Sequence, residues 1–468
     1  MNRSIKDILI APKSFYSKVL AVAVPIMIQN GITNIVGMLD NVMVGRIGTD
    51  AMSGVSIVNQ LMFVFYLCIF GGLSGIGIFS AQFWGKQDHK GMQYTMRAKM
   101  MAAIVTTIIA SLVFWYGREP LINLFLHEGG ESGNMEITMS EGLRYLRVMM
   151  IGMLPLAITN VYSSTLRETG ETMVPMKAGI IAVFVNLIGN YVFIYGKLGL
   201  PAMGVVGAAV ATNISRFIEV AIVVIWTHMH SDKHAYIKGY LSSLQIPDKL
   251  LKDFAIKGFP LLLNEALWSM GVTALVQCYS VRGLAAMGAV SINTTLSNVF
   301  NIVFVAMGNA IAILIGQVIG SGSVKDIKKY AYQLEAFSVE ISIVSAILMA
   351  ATAIVFPSVY NTTDEVKMLA QYLLWAYAFF MPSMAYTNAV YFIIRSGGKT
   401  FVTFLFDSCY SWGVEVPIAF LLSRYTAMPL IWLYVCVQTI EFFKGVIGFF
   451  LVKRGKWIND LTEYEDVK

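Results

Sequence analysis

Twelve predominantly apolar stretches, each roughly 20 residues or longer, leave this chain almost nowhere to fold except across a bilayer. They fall near 15–44, 55–84, 95–116, 143–166, 174–195, 205–226, 259–280, 290–319, 331–356, 369–394, 401–422 and 430–452. In hydrocarbon every backbone N–H and C=O must find a partner within its own segment, so stretches of this length are read as helices. The prediction is an all-α membrane protein of twelve transmembrane helices. Charge agrees: only 13% of residues are Asp, Glu, Lys or Arg, against about 25% in soluble domains.

The formal net charge is +6, but its basic residues lie mainly in the short connectors. That is a bilayer signature and not a nucleic-acid one. Lys86, Lys90, Arg97, Lys99, Arg167, Lys177, Lys328, Lys329, Arg395 and Lys399 fall on one side. The other side has fewer, and its loop at 118–147 is weighted with Glu119, Glu128, Glu131, Glu136 and Glu141. The positive-inside rule then places both termini in the cytoplasm, in a multi-pass protein of the plasma membrane, a bacterial inner membrane being expected. Arg3, Lys6 and Lys13 precede a first apolar run too long for a signal peptide, so no cleaved leader is expected. Cys68, Cys278, Cys409 and Cys436 sit in apolar runs without metal-like spacing and are read as packing residues.

The chain repeats itself. GTDAMSGVSI at 48–57 matches GLAAMGAVSI at 283–292 in six of ten positions, and the same offset superimposes Pro25 on Pro260, Gln82 on Gln317 and Gly85 on Gly320. RETGET at 167–172 likewise matches RSGGKT at 395–400. Six spans per half imply two parallel six-helix lobes, 1–230 and 258–468, related by an axis along the membrane normal and joined by a cytoplasmic linker at 231–257.

Chemistry must come from polar groups inside the spans. Asp40 lies in the outer part of span 1; a charge at the centre of a span costs roughly 2.5–3.5 kcal/mol on insertion scales and usually faces a cavity. Gln29 and Thr33 precede Asp40 at helical spacing, and Pro25 offers a bend. Asn186 and Asn190 are one turn apart in span 5, and Thr212 follows the Gly/Ala-rich run 204–211 of span 6. A carboxylate, two amide oxygens and a hydroxyl make an oxygen-only set suited to Na+ or a proton. In the second half Glu265, Ser269, Thr273 and Gln277 form a polar stripe, with Glu265 facing a cationic substrate, a second ion, or a base such as Lys257. Asp407 and Glu415 share a face of span 11, and Asn293 leads a polar run in span 8 that lines a cavity or ties helices together. Arg216 with Glu219, and Glu441 with Lys444, are spaced as neutralising pairs.

The glycine run at 71–77 lacks the preceding strand and the lysine of a phosphate loop, and is read as helix packing. No nucleotide motif, catalytic set or metal cluster is apparent, so the chain is not expected to be an enzyme, and no cofactor is expected beyond a coupling ion.

These features together resemble the multidrug and toxic compound extrusion (MATE) family. The resemblance rests on 40–57, the two Arg-x-x-Gly-x-Thr turns, the Asn-x-x-x-Asn run of span 5 and GVVGAAVAT at 204–212. It implies two bundles in a V that export drug-like, amphipathic, often cationic compounds in exchange for Na+ or H+. It also implies a monomer whose cation site comprises Asp40, Asn186, Asn190 and Thr212. One branch of the family has an aspartate where this chain has Asn190. Another pairs a glutamate of span 7, here Glu265, with an aspartate of span 10, but 369–394 holds no acid. The expected function is an antiporter working by alternating access. The alternative is a flippase of lipid-linked oligosaccharides, which calls for a cationic cavity; few Arg or Lys are expected inside the spans here.

Overall fold

The computed structural model describes residues 10–125, 134–240, 242–322 and 324–464, without the side chains of 324–326. Arg3, Lys6, Glu128 and Glu131 lie outside the described residues. Each apolar stretch becomes a helix: α1 (Lys13–Gly45), α2 (Thr49–Lys86), α3 (His89–Asn123), α4 (Met135–Glu168, with a 3-10 turn at Met150–Gly152), α5 (Met173–Tyr195) and α6 (Val205–Met229). The second half supplies α7 (Asp248–Ser280), α8 (Leu284–Gly320), α9 (Val324–Thr352), α10 (Asp364–Ser396), α11 (400–425) and α12 (Leu430–Arg454). Ten of the twelve are long and apolar enough by themselves to cross a membrane, α10 and α11 completing the set. No strand occurs among the described residues. Helix α11 departs from ideal winding, with π turns at Leu405–Cys409 and Ser411–Glu415, a distortion often found at functional positions. All four cysteines are free thiols.

Two compact units emerge from the packing. The amino-terminal unit comprises 28–80 and 89–251; the carboxy-terminal unit comprises 252–464 together with the chain up to Met27 and Ala81–Asp88. Both α1 and α2 therefore pass from one unit to the other, α1 doing so two residues after Pro25.

In the amino-terminal unit α5 and α6 form the most extensive helix pair. Gly196 closes α5 in the left-handed conformation at φ +64. A Cβ on Gly207 would lie 2.6 Å from the Phe193 backbone, and one on Gly189 2.9 Å from the Ala211 Cβ. The small residues thus let two backbones touch, as helix pairs in lipid commonly do. The glycine run of α2 is mixed: Gly77 makes room for the Glu168 carboxylate, whereas Gly72 faces open space. The linker is partly ordered against this unit. Arg97 donates to the Tyr240 carbonyl at 2.6 Å and the Gln245 carbonyl at 3.0 Å, and Tyr162 bonds both Tyr240 and His228. Residues 248–257 already belong to α7.

In the carboxy-terminal unit α10 packs against α8, α9 and α12. Phe15, Val19 and Ile26 of α1 join the same core as Ile311, Ile315, Leu334 and Ile393. The residues that the internal repeat superimposes meet one another here. A Cβ on Gly85 would come 2.8 Å from the Gln317 Cα, and a Cβ on Gly320 would come 2.8 Å from the Gln82 Cα.

The chain beyond α12 straps this crossing down. Gln82, fully buried, donates to the carbonyls of Ser396 (3.1 Å) and Asn459 (3.2 Å) and accepts from the Leu461 N–H (2.8 Å). Lys86 reaches Thr462 Oγ1 at 2.9 Å, and the Tyr464 hydroxyl donates to Asp88. Trp457 lies against Gly397, where any side chain would strike its backbone. Gln82→Ala strands three backbone groups, each unmet buried group costing about 1–3 kcal/mol. Thermal unfolding of the purified variant in detergent is expected at clearly lower temperature than wild type; an unchanged midpoint would show that the strap adds no stability.

Candidate functional site

The backbone contact of α5 with α6 decides where the polar groups of the amino-terminal unit fall. Asn186 and Asn190 project from one face of α5, and Thr212 sits opposite on α6, with Asn186 Nδ2 donating to Thr212 Oγ1 at 3.1 Å. Asp40 of α1 completes the group, since Asn190 Nδ2 donates to its Oδ1 at 2.7 Å and to Asn186 Oδ1 at 3.3 Å. Turning the Asn186 amide by 180° lets its nitrogen donate to both Asp40 oxygens, at 3.1 and 2.9 Å, while its oxygen accepts from Thr212. The four residues singled out from three distant stretches are thus within hydrogen-bond reach of one another.

Two features make this cluster chemically suggestive. No lysine, arginine or histidine forms an ion pair with Asp40 among the described residues, and the buried Asn190 Oδ1 has no hydrogen-bond partner. A carboxylate plus an unused amide oxygen is a donor set for a small cation, and amide N–H groups stabilise the carboxylate when it is empty. Tyr145 of α4 is an electrostatic neighbour of Asp40, and its hydroxyl donates to Asn59. No group of three or more His, Cys, Asp or Glu side chains suited to a metal ion occurs among the described residues. A cleft of about 430 Å³ opens at the ends of α1, α2, α4 and α6, lined by Asp50, Glu141 and Arg144, but Asp40 does not line it.

The stripe expected on α1 is broken up by the tertiary packing. Gln29 is engaged, accepting from Arg167 Nη2 at 2.6 Å and lying against Gly179, while Thr33 is exposed. Lys99, counted by its sequence position with the charges flanking an inner connector, is fully buried and ion-paired with Glu168. Arg216 and Glu219 are electrostatic neighbours but make no direct ion pair, and Arg216 Nη1 stays without a hydrogen-bond partner.

The carboxy-terminal unit is organised differently. Glu265 pairs with Arg395 of α10 at 3.9 Å, and Arg395 also donates to the Tyr391 hydroxyl; Lys257 is not its partner among the described residues. In each unit, therefore, the arginine of the repeated turn reaches the opening span of its own repeat, Arg167 to Gln29 and Arg395 to Glu265. Asp407 is ion-paired with Lys444 at 2.7 Å, and Lys444 also holds Glu441 at 3.2 Å. Asn264 ties the pair to α7, donating to Asp407 Oδ2 at 3.0 Å and accepting from Ser408 at 2.7 Å. Glu415 is buried and accepts from Ser411 at 2.8 Å. Ser269 is half-buried, but Thr273 and Gln277 are exposed, so the stripe on α7 turns away from the interior after one turn. Asn293 is buried, donating to Tyr434 at 3.4 Å with its Oδ1 unpartnered.

Sequence reading missed Lys99, Glu168, Asn264 and Glu335 as interior polar residues. The first two sit near helix ends and resemble connector charges; Asn264 is overshadowed by its neighbour Glu265. The interior also holds more bases than expected, but Lys99, Arg395 and Lys444 are each matched to an acid. Removing one partner of a buried pair leaves an uncompensated charge worth about 3–5 kcal/mol. Lys99→Met is therefore expected to lower unfolding stability in detergent by that order, and Lys99→Met/Glu168→Gln to recover most of the loss. Equal losses in the single and double variants would mean that the two groups are not coupled.

The MatE family model matches residues 25–192 and 260–421. The two matched stretches begin on Pro25 and Pro260, the prolines that the internal repeat superimposes. A probable multidrug resistance protein NorM of Thermotoga maritima is 25% identical over 446 residues, covering 94% of this chain and 92% of that protein. The probable multidrug resistance protein NorM of Bacillus subtilis is 23% identical over 416 residues, 88% of this chain and 89% of the relative. A crystal structure of MATE in the bent conformation superimposes with a TM-score of 0.85 at 16% identity, over 97% of this chain and 98% of the other. An outward-facing multidrug resistance MATE transporter of the MOP superfamily gives 0.82 at 16% identity, with the same coverage. At such identity the structures speak for the fold alone. With both repeats matched by the family model and the fold shared end to end, the chain belongs to the MatE family of multi-pass membrane transporters and is not an enzyme.

Proposed function

We propose that this chain is a secondary active antiporter that exports amphipathic, cationic small molecules in exchange for Na+ or H+ by alternating access. The observation that carries the reading is a carboxylate inside an apolar bundle, Asp40, hydrogen-bonded by Asn190 with no base paired to it. Such a group is poised to take up a cation, because nothing fixed in the protein neutralises it. The names of the NorM relatives support a drug-like substrate.

Uptake of an ion by Asp40 weakens its hold on the α5 amides. A hydrogen bond to a charged group contributes about 1.5–3 kcal/mol, enough to bias a helix between two arrangements. Pro25 gives α1 a point of weaker backbone restraint, because its nitrogen has no hydrogen to donate. Bending there would couple occupancy of Asp40 to the position of the helix. In the carboxy-terminal unit Ser269, Glu415 and the unpartnered Asn293 oxygen are polar groups that a substrate could meet, while Glu265 and Asp407 are held by bases. On this reading the protein works as a monomer in the plasma membrane with both termini cytoplasmic, and 231–257 links the halves 1–230 and 258–468 on that face.

Efflux of a fluorescent organic cation from proteoliposomes, with Na+ and pH gradients imposed separately, tests the proposal. Wild type should respond to one gradient, and Asp40→Asn should abolish gradient-driven efflux while unfolding at a temperature close to that of wild type. Unimpaired gradient-driven efflux by Asp40→Asn would refute the reading.

A further inference from the structure

Glu335 is a carboxylate of the carboxy-terminal unit that the proposed function does not use. It lies eight residues into the apolar stretch Ile327–Thr352 of α9, about 12 Å along the helix at 1.5 Å per residue. The residue is 5% exposed, and its Oε1 is buried without a hydrogen-bond partner. Four other acids of this unit are engaged: Glu265 with Arg395, Asp407 and Glu441 with Lys444, and Glu415 with Ser411.

Among the described residues, no base is ion-paired with it. Helix α8, packed against α9, has no titratable side chain along its length. The inner end of α1 brings Phe15 and Tyr16 against Tyr330 and Phe337, and its Lys13 and Lys18 are exposed. On α9 itself Lys328 donates to the Lys453 carbonyl, and Tyr332 is an electrostatic neighbour of Glu335. Lys329 and Glu340 are half-buried, and no ion pair to Glu335 occurs among the described residues. From α10 comes Tyr386, whose hydroxyl also lacks a partner and is an electrostatic neighbour of Glu335. From α12 comes Gly445, beside the Tyr386 ring, while the adjacent Lys444 is taken up by Asp407 and Glu441.

We propose that Glu335 is a proton-binding site of the carboxy-terminal unit, with the Tyr386 hydroxyl as the polar group that caps it. An isolated carboxylate in apolar surroundings is costly enough that such a group neutralises itself. A proton does this without further ligands. A metal cation would need several oxygens, and here the neighbours are the side chains of Tyr332 and Tyr386. The site lies on different helices from Asp40, so the transporter would carry a protonatable carboxyl in each unit. Glu335 and Tyr386 also place that function on α9 and α10 although α10 contributes no acid from its membrane stretch.

Dicyclohexylcarbodiimide tests this directly, because it reacts with carboxyls that are protonated and in apolar surroundings. The acid O–H adds across the reagent, and the adduct rearranges to a stable N-acylurea that peptide mass spectrometry can locate. With the full-length protein in detergent, without substrate or gradient, the Glu335 peptide should carry the adduct at neutral pH. The yield should fall several-fold as the pH becomes alkaline, and Glu335→Gln should lose that adduct alone. Absence of the adduct on wild-type Glu335 at every pH, or a yield indifferent to pH, would overturn the proposal. The wild-type measurement stands even if Glu335→Gln fails to fold. Because labelling needs no transport, its outcome is separate from that of the Asp40→Asn efflux experiment.

Discussion

Helices surrounded by lipid gain little from hiding apolar surface, because the solvent is as apolar as their side chains. What draws them together is close backbone contact and the need of each polar group for a partner. Both forces act at the α5–α6 pair. Gly189, Gly207 and Ala211 let the backbones meet, and that contact brings Asn186, Asn190 and Thr212 together. Asp40 is then held by amides supplied by a neighbouring helix. Without the small residues the carboxylate would have no shell of donors.

The same constraint is met in opposite ways in the two units. In the carboxy-terminal unit the acids of α7, α11 and α12 are satisfied mainly by bases, through Arg395 and Lys444. A salt-bridged acid is already neutralised and resists a change of occupancy. In the amino-terminal unit Lys99 and Glu168 form such a locked pair, while Asp40 is left with neutral amides. That difference marks Asp40 out from the paired acids of the same bundle. Glu335 is a third case, ion-paired to no base among the described residues and neighboured by the tyrosines Tyr332 and Tyr386.

The ancestry of the chain is written into its contacts as well as its sequence. Gln82 and Gln317, and Gly85 and Gly320, are related by the repeat, and each glycine makes room for the other repeat's glutamine backbone. At the strap beyond α12, Gln82 gathers backbone groups from Ser396, Asn459 and Leu461.

Sequence alone determined the twelve membrane helices, the duplication and the shared face of Asn186 and Asn190; that these meet Asp40 was implied by the family resemblance and is decided by tertiary contact. Span length, charge deficit and one-turn spacing are local properties that the bilayer enforces whatever the tertiary arrangement. It could not decide which polar residues pair. Lys99 reads as a charge flanking a connector and is fully buried; Glu265 takes Arg395 and not Lys257; Thr33, Thr273 and Gln277 have helical spacing yet end up exposed. Pairing depends on how each helix is rotated about its axis, and that is set by close approaches such as Gly179 on Gln29 and Gly77 on Glu168. Those approaches are long-range steric facts, so only the assembled bundle fixes which carboxylates are neutralised and which remain open to an ion.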